Sequence, residues 1–331
     1  MAGKVTIFAV AERAGVSIAT VSRVVNGLGA GTPSEERIRR AIDELGYEPN
    51  SAARALKVNA SEQVCLALPD LNNPVYQAMT RGVQRGFKVS KYRLMLSPSL
   101  STTEEVLLQL KSLGRNYADG LILSTLVFDE DIEELLASLR IPVVLIGGAV
   151  DRPKYDNIRV DSVRGTSMAV EYFYKVGRKK ILFLNGPWMT NPAKRRKEGF
   201  TESLKSYGVK NPESRIANAR AFNPKAAVEI LASVKNLGKY NAILCANDLL
   251  AAGAIKFLSE RQIRVPEDIA VIGIDNTDLA ALLTPTLTSV DFKAEHRGEL
   301  AAKYLLERLA NPESPVRKTV IEPELVVRES A

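Results

Sequence analysis

One histidine, two cysteines and one tryptophan occur in 331 residues, and each scarcity removes a class of chemistry. A lone His296 with the widely separated Cys65 and Cys245 offers no metal-ligand spacing, no nucleophile–base pair and no disulfide framework. Both cysteines sit in apolar, strand-like runs, where reduced and buried thiols are expected. No apolar run reaches the roughly 18 residues that a membrane span requires. The N-terminus lacks a secretory signal pattern, and neither repeats nor low-complexity tracts occur. These absences lead to the expectation of a cytosolic chain with no membrane partner, no cofactor and no catalytic role. The Gly-rich run 27–31 does not change that, because it follows a helix pattern and a phosphate-binding glycine loop must follow a strand.

What the chain does have begins near its start. Thr6 is placed to cap a helix from about Ile7 to Ala14, which Gly15 ends, and Ser17 is placed to cap a second. On that second helix Val21, Val24 and Val25 face the first, while Ile18, Ala19, Ser22 and Arg23 share the opposite side. Two helices joined by so short a turn match helix-turn-helix geometry, in which the second helix enters the DNA major groove. Arg23 can then fork onto guanine and Ile18 can meet a thymine methyl. The plainer alternative is a helical hairpin with no special purpose. A third helix opens at Thr32-Pro-Ser-Glu35, which reads as a capping box, with Ile38, Ala41, Ile42 and Leu45 as its apolar stripe. Residues 51–57 give up to two turns of helix with little to bury, a segment that folds only against a partner.

The net charge of +7 favours a polyanionic partner, yet residues 1–60 hold eight basic against six acidic side chains, so most of the excess lies elsewhere. Beyond Ser61, short apolar runs alternate with amphipathic stretches. Val64–Leu68, Leu94–Leu96, Gly120–Leu123, Val143–Ile146, Ile181–Leu184, Ala242–Cys245 and Ala270–Ile274 read as strands, with helices near 74–90, 103–116 and 130–139. This alternation predicts parallel sheets covered on both faces. Ligands of such sheets bind beyond the carboxyl ends of the strands, and the loops there are polar: 69–74, Ser124-Thr125, 185–191, Asn247-Asp248 and Asp275-Asn276.

These pieces resemble the LacI/GalR transcription regulators. The resemblance is carried by VxxxAGVSxATVSRVVNG (10–27), AIDELGYEPN (41–50), AARAL (52–56), PDLNNPVY (69–76), RKEGF (196–200), CANDLLAAGAI (245–255) and VIGIDN…TPTLTSV (271–290), in order along nearly the whole chain. It implies an α/β fold with a two-lobed, periplasmic-binding-protein-like core of parallel sheets, preceded by a small all-α helix-turn-helix headpiece. The implied division is a headpiece over 1–60, with a hinge helix at about 50–58, and a core over 61–331. The first lobe would take about 62–160 and 292–320, the second about 161–291 and 321–331. The implied partners are a homodimer's second copy, double-stranded pseudo-palindromic operator DNA and a small-molecule effector; with no heptad tail, a tetramer is not expected.

Carried over residue by residue, DNA contacts fall to Thr6, Ser17, Ile18, Ala19, Thr20, Ser22, Arg23, Asn26, Asn50, Ala53, Arg54, Leu56 and Lys57. Leu56 sits where relatives wedge a leucine into the minor groove, and Arg54 and Lys57 would hold phosphates. Ligand contacts fall to Asn73, Tyr76, Ser124, Thr190, Arg196, Phe222, Asn247 and Asp275, a set suited to a sugar or sugar derivative. Plainer roles exist for several: Arg196 as surface charge, Asp275 as a helix cap, Tyr76 and Phe222 as core aromatics. Trp188 in the same cleft-edge loop suits lobe packing as well as ligand contact. The chain departs from the family pattern at Asp161-Ser162, Tyr172-Phe173 and Gly177-Arg178. Pro192 and Lys194-Arg195, standing where small polar residues are common, raise an anionic ligand as an alternative. A solute-binding protein without DNA-directed function is the rival reading, and the first 60 residues argue against it.

Overall fold

The computed structural model describes residues 5–25, 28–29, 31–47, 61–98, 102–112, 118–148 and 154–331. Asn26, Asn50, Ala53, Arg54, Leu56 and Lys57, and with them the expected hinge helix, lie outside the described residues. The chain separates into two units, Met1–Ser61 and Glu62–Ala331.

The first unit contains α1 (Ile7–Ala14), α2 (Ile18–Val25) and α3 (Pro33–Leu45). Its core is small: Val10, Val21 and Ile38 are fully buried, with Ala11, Ala14 and Ala41 beside them and Val24 and Val25 partly covered. Gly15 closes α1 at φ 65, the left-handed region where a residue without a side chain is least strained, and so reverses the chain into α2. The Ser17 hydroxyl accepts from the Thr20 amide at 3.2 Å, the expected cap. Two other caps differ from expectation. Thr6 holds the cap position of α1 without a side-chain bond. At α3, Glu35 accepts from the amide of Gly31 at 2.9 Å instead of that of Thr32, because Gly31, at φ 66, turns its own N–H toward the carboxylate.

The second unit begins with β1 (Gln63–Leu68), α4 (Pro74–Phe87), β2 (Arg93–Pro98), α5 (Thr103–Ser112), β3 (Gly120–Ser124), α6 (Glu130–Ser138), β4 (Val143–Ile146) and β5 (Asp156–Val160). There follow α7 (Ser162–Lys175), β6 (Ile181–Asn185), α8 (Asn191–Ser206), β7 (Ile216–Asn218), α9 (Pro224–Ser233), β8 (Ala242–Cys245), α10 (Asp248–Ser259), β9 (Ala270–Ile274), α11 (Asp278–Leu282) and β10 (Thr288–Asp291). Then α12 (Ala294–Ala310) and β11 (Lys318–Ile321) return to the first sheet, and β12 (Glu324–Val326) to the second. The strand orders are β11-β5-β4-β3-β1-β2 and β12-β10-β9-β8-β6-β7. Every described pairing is parallel except β10 with β12. Strands such as β3, β4, β6, β8 and β9 are buried along their whole length, as helix-covered parallel strands must be. Helix α4 stops at Phe87, short of the 90 its spacing predicts, because the Ser90 amide and hydroxyl both turn back to the Phe87 carbonyl. Cys65 and Cys245 are buried and unbridged.

Two features fix the frame around the cleft. Helices α4 and α12 cross with backbones nearly touching: a Cβ on Gly298 would stand 2.1 Å from the Met79 carbonyl oxygen, and one on Gly82 would stand 1.9 Å from that of Glu295. Only glycine permits that approach, which sets the first turns of α12 against the middle of α4. At the far end of α12, the fully buried Asp156 carboxylate accepts from Arg308 and Arg317, each at 3.0 Å, joining β5 to the helix and to the entry of β11. Among the described residues, no helix is long and apolar enough to cross a membrane.

Candidate nucleic-acid interface and ligand cleft

On α2 the burial pattern follows the predicted phase. Val21 is completely covered, while Ile18 (40% exposed), Ala19 and Arg23 face outward and Thr20 and Ser22 are half-buried. Thr6 and Ser17 are exposed at the starts of their helices. The apolar core of the unit therefore holds one side of α2 and presents the other. An exposed isoleucine beside an arginine on one helix face is a surface with both an apolar and a forked hydrogen-bonding element.

The second surface is a cleft of about 300 Å³ between the lobes, at the low end of ligand-pocket sizes. It is built from the carboxyl ends of strands and the first turns of helices. Asn73 caps α4 and Asn247 caps α10, each through its side-chain oxygen, to the amides of Val75 (3.2 Å) and Leu250 (2.9 Å). Asp161 caps α7 at 2.9 Å. Of the residues expected to meet a ligand, Asn73, Tyr76, Ser124, Arg196, Phe222, Asn247 and Asp275 all line this one cleft. Thr190 does not. Its hydroxyl accepts from the Ala193 amide and donates to the Pro187 carbonyl at 2.8 Å, so it is spent on capping α8. Trp188 is 66% exposed and lines no part of the cleft, so it neither packs the lobes together nor meets the ligand space.

Electrostatics at the centre are costly to maintain. Asp275 is buried and takes φ 107, outside the region a non-glycine residue prefers. Burial pushes its carboxyl up to about 6, against the pull of Arg196 and Arg297. Arg196 is itself buried, 3.7 Å from Asp275, with its guanidinium over the rings of Phe292 (5.4 Å to the centroid) and Phe222 (6.0 Å). Burial lowers the pKa of both Arg196 and Arg297. Behind Asp275, the Asp248 carboxylate accepts from the Thr277 amide (2.7 Å) and hydroxyl (2.9 Å) and from the Ser289 hydroxyl (2.6 Å). Burial, then the charge of Asp275, push it up to about 7. Asp275 is not a helix cap, since Thr277 occupies that position of α11.

Sequence reasoning missed Arg297, Phe292 and Arg159, all of which line the cleft. Arg297 had a readable signal. It falls in the buried stripe Ala294, Arg297, Gly298, Ala301, Ala302, Leu305 of α12, where an arginine is out of place unless it serves something.

A three-helix unit followed in one chain by a two-lobed parallel α/β core with a polar cleft defines the class: a helix-turn-helix headpiece fused to a periplasmic-binding-protein-like fold. Comparison with known proteins agrees. Residues 6–50 match the family described as bacterial regulatory proteins, lacI family, and residues 170–331 match the periplasmic binding protein-like domain. The HTH-type transcriptional repressor PurR of Pasteurella multocida is 31% identical over 98% of each chain. The ribose operon repressor of Escherichia coli K12 is 30% identical over 97% of this chain and 98% of that one. Among solved structures, the lac repressor dimer bound to operator and the anti-inducer ONPF superposes with a TM-score of 0.87, at 25% identity over 99% of both chains. The chain belongs to the lacI family of bacterial regulatory proteins.

Proposed function

We propose that this protein is a transcriptional regulator, not an enzyme, whose hold on operator DNA is set by a small polar molecule bound between its lobes. The observation that carries this reading is the exposed Ile18–Ala19–Arg23 face of a helix whose Val21 side is fully buried. Such a face reads base edges, with Thr6, Ser17, Thr20 and Ser22 supplying backbone contacts. Two copies, as in the lac repressor dimer, place two such helices on a pseudo-palindromic duplex. The protein acts in the cytoplasm, where its DNA lies.

In the cleft, Asn247 and Asp275 bind ligand hydroxyls, Arg196 donates in a fork, and Tyr76 and Phe222 supply ring faces. Asn73 and Ser124 add polar contacts from the first lobe. A sugar or sugar derivative fits this set. Coupling of about 1–3 kcal/mol between cleft and DNA changes operator affinity some 5–150-fold. The test is selection of bound duplexes from random DNA, followed by retention assays with and without sugars. A symmetric enriched motif is expected, and Arg23→Ala should relax one base pair of each half-site by about 1–3 kcal/mol. No enrichment over competitor DNA, with any compound present, overturns the reading.

A further inference from the structure

The cleft holds more positive charge than a neutral sugar uses. Among the described residues, four buried side-chain atoms of residues that line it have no hydrogen-bond partner, and all four are donors: Nε of Arg159, Arg196 and Arg297, and Nδ2 of Asn191. Among the described residues, neither Arg159 nor Arg297 makes an ion pair, and Arg297 is only 8% exposed. Arg196 and Arg297 share the carboxylate of Asp275, and each is drawn more weakly to one further aspartate, Asp248 for Arg196 and Asp291 for Arg297. The other acid in the lining, Asp161, is committed to the amide of Arg164. The helices α4, α7, α8 and α10 all start at the cleft, so four positive dipole ends converge on it.

Of the basic pair that raised an anionic ligand from sequence, Lys194 and Arg195, only Arg195 reaches the lining, and its charge is already matched. Lys194 is exposed and outside the lining, and Arg195 pairs with Glu198 at 2.8 Å. Burying a guanidinium without a partner is expensive, and a fold keeps one where a partner arrives from outside. Guanidinium donors in a planar fork match an oxyanion in two parallel bonds.

We propose that the ligand carries an oxyanion, a phosphate or a carboxylate, held by Arg297 and Arg159, with its hydroxyls toward Asp275 and Asn247. This rests on the reading of the cleft as an effector site and narrows the effector's class. The test uses the full chain and matched probes: glucose against glucose 6-phosphate, ribose against ribose 5-phosphate, glucose against gluconate, and inorganic phosphate against chloride at equal ionic strength. Titration calorimetry and melting temperature are read for the native protein, Arg297→Gln and Arg297→Lys.

The anionic member of at least one pair should bind about ten-fold or more tightly than its neutral partner, the size of one charge-assisted contact. Phosphate should raise the melting temperature above the chloride control. Arg297→Gln should abolish both effects, bringing the ratio of anionic to neutral affinity down to about one, while Arg297→Lys should keep part of the phosphate response. A phosphate response equal to that of chloride, or one that survives Arg297→Gln, overturns the proposal. Neutral sugars that bind and shift operator retention with no anionic preference would sink the oxyanion while leaving the effector reading standing.

Discussion

Asp275→Asn isolates the charge that the cleft holds under tension. A carboxyl whose folded pKa lies above its unfolded one keeps a proton that the unfolded chain gives up. Its contribution to stability is therefore whole below about pH 4 and drains away as the pH climbs through 6. From 3.8 to about 6 the shift is roughly two units, which at about 1.36 kcal/mol per unit amounts to around 3 kcal/mol. The asparagine variant carries no such titration. Its stability minus that of the native protein should therefore grow by about 2 of those 3 kcal/mol between pH 4.5 and pH 8, the rest having developed below pH 4.5. Asp248 adds in the same direction: removing Asp275 relieves one of the charges that push Asp248 up, so the variant loses part of that slope too. Urea unfolding at fixed ionic strength across the range measures the difference. A flat difference would show that attraction to Arg196 and Arg297 cancels burial, and one that shrinks with pH that it outweighs burial and Asp275 is an ordinary ion-pair partner; either refutes the reasoning. If the reasoning holds, a hydroxyl donated by a ligand relieves Asp275 most when it is ionised, so neutral polyols should stabilise more at pH 8 than at pH 5.

Further expectations concern the frame. Asp156→Asn leaves Arg308 and Arg317 facing each other without their shared carboxylate and should cost about 3–5 kcal/mol in urea unfolding. Gly298→Ala drives a Cβ against the Met79 carbonyl and should destabilise by at least about 1–3 kcal/mol, with weaker ligand response as Arg297 is displaced; an unchanged unfolding midpoint would refute the close crossing. Asn247→Ser keeps a capping oxygen while removing the amide donor, so it should lose ligand affinity with little loss of stability. Asn247→Ala should lose both, the cap being worth about 1 kcal/mol, and calorimetry beside thermal melting separates the two.

How much of this is legible in the sequence depends on whether the determining contacts are local. The strands β1, β3, β4, β6, β8 and β9 are continuous apolar runs, and their type and approximate limits follow from composition alone. The strand β5 reads Asp-Asn-Ile-Arg-Val, and its aspartate is buried only because Arg308 and Arg317 arrive from the other end of the chain. The edge strands β11 and β12 are half-exposed and carry no apolar run. In the cleft, residues placed just after strands are legible because that position is where ligands of parallel sheets bind. Thr190 misleads for the same reason: it stands in the right loop, but a threonine before Asn191-Pro192 at a helix start is taken up by capping. Arg297 and Phe292 lie after the second passage between lobes, where no strand-end rule points.

The chain passes between the lobes after Val160, near Phe292 and after Ile321, and residues of all three passages line the cleft: Arg159 to Ser162, Phe292 and Val320. A molecule seated there presses on the axle of the molecule and not on its rim. A shift of a fraction of an ångström at such a pivot is multiplied by the length of each lobe at its outer end, so the effector need not be large, only rigid and firmly gripped.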